Sequence, residues 1–205
     1  KVNGEIIEKF TLKDKRVLVS LESKSLGDTV AWAPYSVDLS IQRGCKVILS
    51  TFHNDWFRKL PEYSNIEFIE PGESTVCDVS YKVGWFYDEN KDPEISNAIP
   101  LQQTISNIVG LEFKEIKSKI DFTPKERPIN DKYITICNES TAHLKLWNNK
   151  DGWKELTKYL KSLGYGVVNV SMNGEHIEGT IKISDTSIPN TLNYIHHSEF
   201  FIGLS

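Results

Sequence analysis

A chain of 205 residues has room for one large α/β domain or two small ones, since domains usually run to roughly 100–150 residues. Its 39% hydrophobic and 25% charged residues belong to a packed soluble chain and exclude a disordered or collagen-like one. The 24 basic residues are outnumbered by 28 acidic ones spread along the length, so there is no basic stripe for a nucleic-acid backbone and no polybasic arm for a membrane surface.

Cys45, Cys77 and Cys137 are far apart and odd in number, and two of them lie in apolar, strand-like runs, which suits buried thiols in a reducing compartment. No apolar stretch approaches the roughly 18 residues of a membrane span, and KVNGEIIEKF at the start has no signal-peptide core, so the expected location is cytoplasmic. The sequons at Asn138 and Asn169 carry no weight there.

In chain order, short β-branched runs alternate with helical patterns, the mark of βαβ units around a parallel sheet. Arg16 to Leu21 (RVLVSL) predicts the first strand, followed by the loop ESKSLGD and a helix over Thr29 to Gln42 with Val30, Pro34, Val37 and Ile41 on one face. Asp28 stands where an N-cap belongs, Pro34 predicts a kink, and Gly44 ends the helix. CKVILS is the second strand, NDWFRKL a short helix, IEFIEP the third strand and DVSYKVGWF the fourth. Tyr87 to Asn97 reads as a polar loop, and a helix starting near Pro100 carries Ile105, Ile108 and Val109. FTPKERPIND, with two prolines, reads as an interdomain linker, giving domains at 1–123 and 124–205.

The second domain opens with the strand KYITICN. A helix capped by Asp151 runs through Trp153, Leu156, Leu160 and Leu163 to a stop at Gly164. GVVNVS and IKIS are strands, IPNTLNYIHH a helix, and EFFIGLS a last strand at which the second sheet is predicted to be incomplete.

Open α/β sheets bind ligands at the carboxyl ends of their strands. The first such loop holds Gly27 and Asp28, which allow two readings: a helix cap and a turn, or a carboxylate presented to a ligand. The matching loop of the second half, NESTAHLKLWNNKDGW, offers the Ser140 and Thr141 hydroxyls and Lys145, suited to a diphosphate; a solvated loop reads equally from composition alone. Gly203, Leu204 and Ser205 fall where a helix start would offer free N–H groups to an anion. Gly84, Trp85 and Phe86 end another strand, where the rings would line a sugar or acceptor pocket or simply pack in the core. His196 and His197 are adjacent and diverge on a helix, so they make no metal pair, and no D-x-D, C-x-x-C, G-x-S-x-G or Walker loop is present.

Taken together, Ser25-Leu26-Gly27-Asp28 with the early Pro34, Lys82 to Phe86, Ser140 to Asn149 and Phe200 to Ser205 resemble, in order, segments of the bacterial heptosyltransferases, most of all those that modify autotransporter adhesins. The resemblance implies a GT-B architecture of two Rossmann-like domains with parallel sheets, acceptor-side first and nucleotide-sugar-binding second. It implies inverting, metal-independent transfer of heptose from ADP-heptose, without a further cofactor, to serine hydroxyls of an autotransporter passenger. Lipopolysaccharide-core transfer or a truncated, non-catalytic fragment are the alternatives. By resemblance Asp28 is the general base, while Ser140, Thr141, Lys145 and the Gly203–Ser205 segment hold the departing diphosphate, and Gly27, Gly84, Trp85 and Phe86 shape the sugar or acceptor pocket. A homo-oligomer is implied for the full-length protein. The cysteine-bound iron element of the autotransporter branch matches nothing in these residues.

Overall fold

The computed structural model describes residues 11–84, 99–140, 143–173 and 176–204. The predicted polar loop, with Trp85, Phe86, Thr141 and Ser205, lies outside the described residues. The chain divides into two compact units, Lys1–Asp121 and Phe122–Ser205.

In the first unit β1 (Arg16–Leu21), β2 (Lys46–Ser50), β3 (Glu67–Ile69) and β4 (Val79–Val83) form an all-parallel sheet in the order β3-β2-β1-β4. Alternation along β1 buries Val17, Val19 and Leu21 on one face, where they meet Trp32, Tyr35, Leu39, Phe57 and Ile105. Side chains of this size each contribute about 1.5–3 kcal/mol when fully removed from water, so this face holds the unit together.

The helix predicted over Thr29 to Gln42 is two helices, α1 (Leu26–Trp32) and α2 (Pro34–Arg43). Proline at the first helical position sacrifices no hydrogen bond, because that N–H would have no intrahelical partner, so the chain restarts a helix at Pro34 instead of bending one. Asp28 is not the N-cap. Ser25 is, its Oγ accepting from the Asp28 amide at 3.5 Å, and Asp28 sits in the first turn of α1. Gly44 ends α2 in the left-handed region at φ 62°.

NDWFRKL makes only one 3-10 turn, Asn54–Trp56, with a second turn at Pro61–Tyr63. Asn54 explains the brevity: its side chain accepts from the Thr51 amide at 2.9 Å and donates to the Ile69 carbonyl at 2.8 Å, folding the loop back onto β3. Helix α3 (Leu101–Ile108) is tied to α1 by the Trp32 indole N–H, which donates to the Leu101 carbonyl at 3.0 Å.

The second unit repeats the pattern. β5 (Tyr133–Cys137), β6 (Gly166–Asn169), β7 (Ile181–Lys182) and β8 (Phe201–Gly203) lie parallel in the order β7-β6-β5-β8. Ile134 and Ile136 pack with Leu160 of α4 (Gly152–Ser162), while Tyr133 packs with Tyr194 of α5 (Ile188–His197). Successive β5 side chains thus serve opposite faces of the sheet, each covered by one helix. Part of the predicted linker is bonded to this unit: Asn193 of α5 accepts from the Lys125 amide at 2.8 Å and donates to the Glu126 carbonyl at 3.1 Å.

Burial pushes the Tyr35 phenol up to about 12, and raises Tyr63 and Tyr133 as well. A raised folded-state value means that this stability is complete below the ordinary tyrosine value of 10.0 and is lost as pH climbs through the folded one. Unfolding stability is therefore expected to fall steeply between about pH 10 and 12. Tyr35→Phe should flatten part of that fall, while costing about 0.5–1.5 kcal/mol at neutral pH, because the Tyr35 hydroxyl donates to the Lys114 carbonyl at 2.6 Å. Urea titrations of both proteins across pH check the two effects.

Candidate functional site

The carboxyl edge of the first sheet gathers the β1, β2 and β4 loops. The Glu22 amide donates to the Val83 carbonyl at 2.8 Å, so the chain leaves β1 still zipped to β4. The Ser23 hydroxyl then accepts from the Ser25 amide at 3.1 Å and donates to Asp28 Oδ2 at 2.6 Å. The Asp28 carboxylate is half-buried. Gly84, at φ 117°, rests against Glu22 and Ser23, and a Cβ there would lie 3.5 Å from the Ser23 nitrogen. Gly27 is exposed, with only Ser25 Oγ, at 3.9 Å, near the position a Cβ would take.

The β2 loop braces this turn from the other side. His53 Nε2 donates to the Lys24 carbonyl at 3.3 Å, and the His53 ring stacks on Trp56 at 4.3 Å. The Lys24 ammonium lies 5.3 Å from the centre of the exposed Phe52 ring. Gly27, Asp28 and Gly84 are thus brought together, and Ser23, His53 and Phe52 join them without having been singled out in the sequence. The S-x-x-D spacing of Ser25 and Asp28 is a capping signal that would have identified the true cap. Nothing in the spacing of Ser23 or His53 announces them.

In the second unit β5 and β8 pair Cys137 with Gly203, so Asn138–Ser140 and Gly203–Leu204 leave the sheet at one edge. Ser140 and Leu204 are half-buried and Gly203 exposed; a Cβ on Gly203 would meet the Phe201 ring at 2.5 Å. Asn138 is locked by Ser171, whose hydroxyl donates to Asn138 Oδ1 at 2.6 Å, and Glu139 accepts from the Asn173 amide at 3.0 Å. A cavity of about 600 Å³ opens beside Glu139, Ser140, Trp147 and Trp153. The two indoles meet edge to face at 5.3 Å. Gly152 is required beneath them, since a Cβ would come within 2.8 Å of the Trp147 ring. Lys145 is exposed in the short turn His143–Lys145 and does not line the cavity. A smaller cavity, about 270 Å³, lies on the flank of α2 beside Val37 and Tyr63, and Gly27, Asp28, His53 and Gly84 do not line it.

No protein-family model matches the chain. It is 28% identical over 211 residues to the autotransporter heptosyltransferase TibC of Escherichia coli O78:H11, covering 96% of this chain and 52% of TibC. The crystal structure of TibC superposes with a TM-score of 0.82 at 30% identity, over 96% of this chain and 55% of that one.

The chain resembles the autotransporter heptosyltransferases.

It spans about half the length of the curated relatives it matches. It is also 26% identical, over 166 residues covering 78% of this chain and 39% of the relative, to an inactive autotransporter heptosyltransferase, BimC of Burkholderia thailandensis. The E. coli heptosyltransferase WaaC, at 12% identity and a TM-score of 0.53 over 93% of this chain and 81% of its own, agrees in fold alone. The fold is accordingly of the GT-B type, with Rossmann-like units. TibC is described as iron-containing and dodecameric, and has been solved with ADP-D-β-D-heptose. Among the described residues no three His, Cys, Asp or Glu side chains cluster in a way that would hold a metal, so they do not fit an iron centre. None of the described helices is long and apolar enough to cross a membrane.

Gly84→Ala is expected to cost about 1–3 kcal/mol, because φ 117° strains any side chain-bearing residue. Thermal denaturation would register the loss. Gly152→Ala should displace the Trp147 ring and change the intrinsic tryptophan fluorescence, whereas an unaltered spectrum would mean the ring does not sit on Gly152.

Proposed function

We propose that this protein transfers heptose from ADP-heptose to serine hydroxyls of an autotransporter adhesin, in the cytoplasm, by an inverting and metal-independent displacement. The observation that carries the reading is the resemblance to TibC along 96% of the chain, together with a half-buried carboxylate at Asp28 held on the carboxyl edge by Ser23. In this reading the first unit serves the acceptor and the second the nucleotide-sugar.

Asp28 acts as the general base. The acceptor serine oxygen bonds to the anomeric carbon as its proton passes to the Asp28 carboxylate. The bond from that carbon to the diphosphate oxygen breaks, its electron pair leaving with ADP, and the protonated carboxyl later returns its proton to solvent. A single displacement from the face opposite the leaving group inverts the anomeric centre. Negative charge growing on the diphosphate calls for donors, a role assigned to Lys145, to the Ser140 and Thr141 hydroxyls and to the backbone of Gly203, Leu204 and Ser205. Gly27 and Gly84 keep the acceptor side open, and Trp85 and Phe86 are assigned to the pocket wall.

Asp28→Ala in the whole protein should lower transfer to a serine-rich autotransporter passenger by about 10²–10⁴-fold with folding intact by circular dichroism. Normal turnover would remove Asp28 from the chemistry. Offering purified lipid A-core beside the passenger separates adhesin transfer from transfer to lipopolysaccharide. A second reading, a protein that keeps the fold without activity, is favoured by the 26% identity to inactive BimC. It predicts no turnover with either acceptor and no heat of ADP-heptose binding in a calorimetric titration.

A further inference from the structure

We propose that Ser23 is a positioning residue for Asp28: its hydroxyl occupies Oδ2 and leaves Oδ1 as the atom that takes the acceptor proton. This rests on the reading of Asp28 as the base, and it goes further by assigning the two carboxylate oxygens different tasks.

The bonding around Ser23 has a fixed direction. Its oxygen already accepts the Ser25 N–H at 3.1 Å, so its own proton is free to point elsewhere, and the partner at 2.6 Å is Asp28 Oδ2. A contact of this length suits an O–H donor aimed at a carboxylate oxygen. Oδ1 receives no such donor among the described residues. It keeps its lone pairs available, whereas a carboxylate without this tether would rotate in the broad, roughly two-fold well of its terminal torsion.

The backbone of Ser23 is itself held on both flanks. Glu22 is bonded to the Val83 carbonyl at 2.8 Å, and the Lys24 carbonyl is bonded by His53 at 3.3 Å. Gly84 lies against Ser23 with no side chain between them. Strands β4 and β2 therefore both set where the Ser23 hydroxyl stands, and the hydroxyl sets where the carboxylate points. Errors of about 1 Å at a reacting atom can cost 10²-fold in rate, so orientation at this point is worth having.

The test compares Ser23→Ala, Ser23→Thr and Asp28→Asn in the whole protein, with ADP-heptose and a serine-rich autotransporter passenger, measuring kcat, KM for ADP-heptose and thermal stability. Ser23→Ala should lower kcat by about 10- to 100-fold with KM for ADP-heptose nearly unchanged, and Ser23→Thr, which restores the hydroxyl, should recover most of it. Full kcat in Ser23→Ala beside an inactive Asp28→Asn would overturn the proposal and leave the base standing. Equal losses in Ser23→Ala and Ser23→Thr, matched by equal drops in thermal stability, would overturn it too, since packing rather than the hydrogen bond would then be responsible. Undiminished turnover in Asp28→Asn would remove the base itself, and the proposal with it.

Discussion

Parallel pairing of β1 on both sides is the constraint from which the candidate site follows. Val19 faces Leu49 of β2 and Tyr81 of β4 in the same direction of chain travel, so all three strands must release their loops at one edge. That is why Asp28, His53 and Gly84, separated by 25 residues or more in sequence, share a neighbourhood. An antiparallel partner in either position would have sent its loop to the far side. The edge is then shaped by the smallest residue available: glycine at position 84 adopts a φ that other residues resist and lets the β4 chain lie directly on the turn that carries the carboxylate.

The same strand order recurs in the second unit, with β5 in the place of β1, β6 beside it and β8 in the place of β4. What differs is the chemistry at the edge. The first unit presents a carboxylate steadied by a hydroxyl. The second presents amides and hydroxyls locked among themselves through Asn138, Ser171 and Asn169. A network whose members satisfy one another stays rigid without a ligand.

The strands were legible because short apolar runs rich in β-branched residues and flanked by charged or polar ones have few alternatives: RVLVSL, between Lys15 and Glu22, is β1 residue for residue. The helix after it was legible in existence and not in form. Val30, Val37 and Ile41 recur at helical spacing, yet Pro34 marks a fresh start, and periodicity carries straight across a junction where Ala33 keeps helical angles at φ −52° and ψ −38°. Asp28 was legible as a residue of interest only through the company it keeps in the motif, and its supposed role as cap belonged to Ser25. Both residues have side chains that cap, and the choice between them depends on which backbone amide lies within reach. That is a matter of three-dimensional geometry at the end of β1. His53 was illegible for a related reason: it becomes a brace only because Asn54 curls the β2 loop back toward β3.

Trp147 makes the converse point about what a loop sequence hides. A tryptophan in this polar loop reads from the sequence as a core residue beside a solvated lysine, yet Trp147 is 44% exposed, its ring seated on Gly152 and against the edge of Trp153. The glycine that opens α4 is therefore chosen for what lies above it, not for its helix propensity, which is poor. Asp151 before it makes no side-chain cap bond, and the Asn149 side chain instead accepts from the Asp151 amide at 3.2 Å. The start of α4 is thus set by the loop preceding it, and the loop is set by the indole. Trp153 lines the 600 Å³ cavity with Trp147 while packing against the core under α4, so one helix residue serves both the cavity wall and the core.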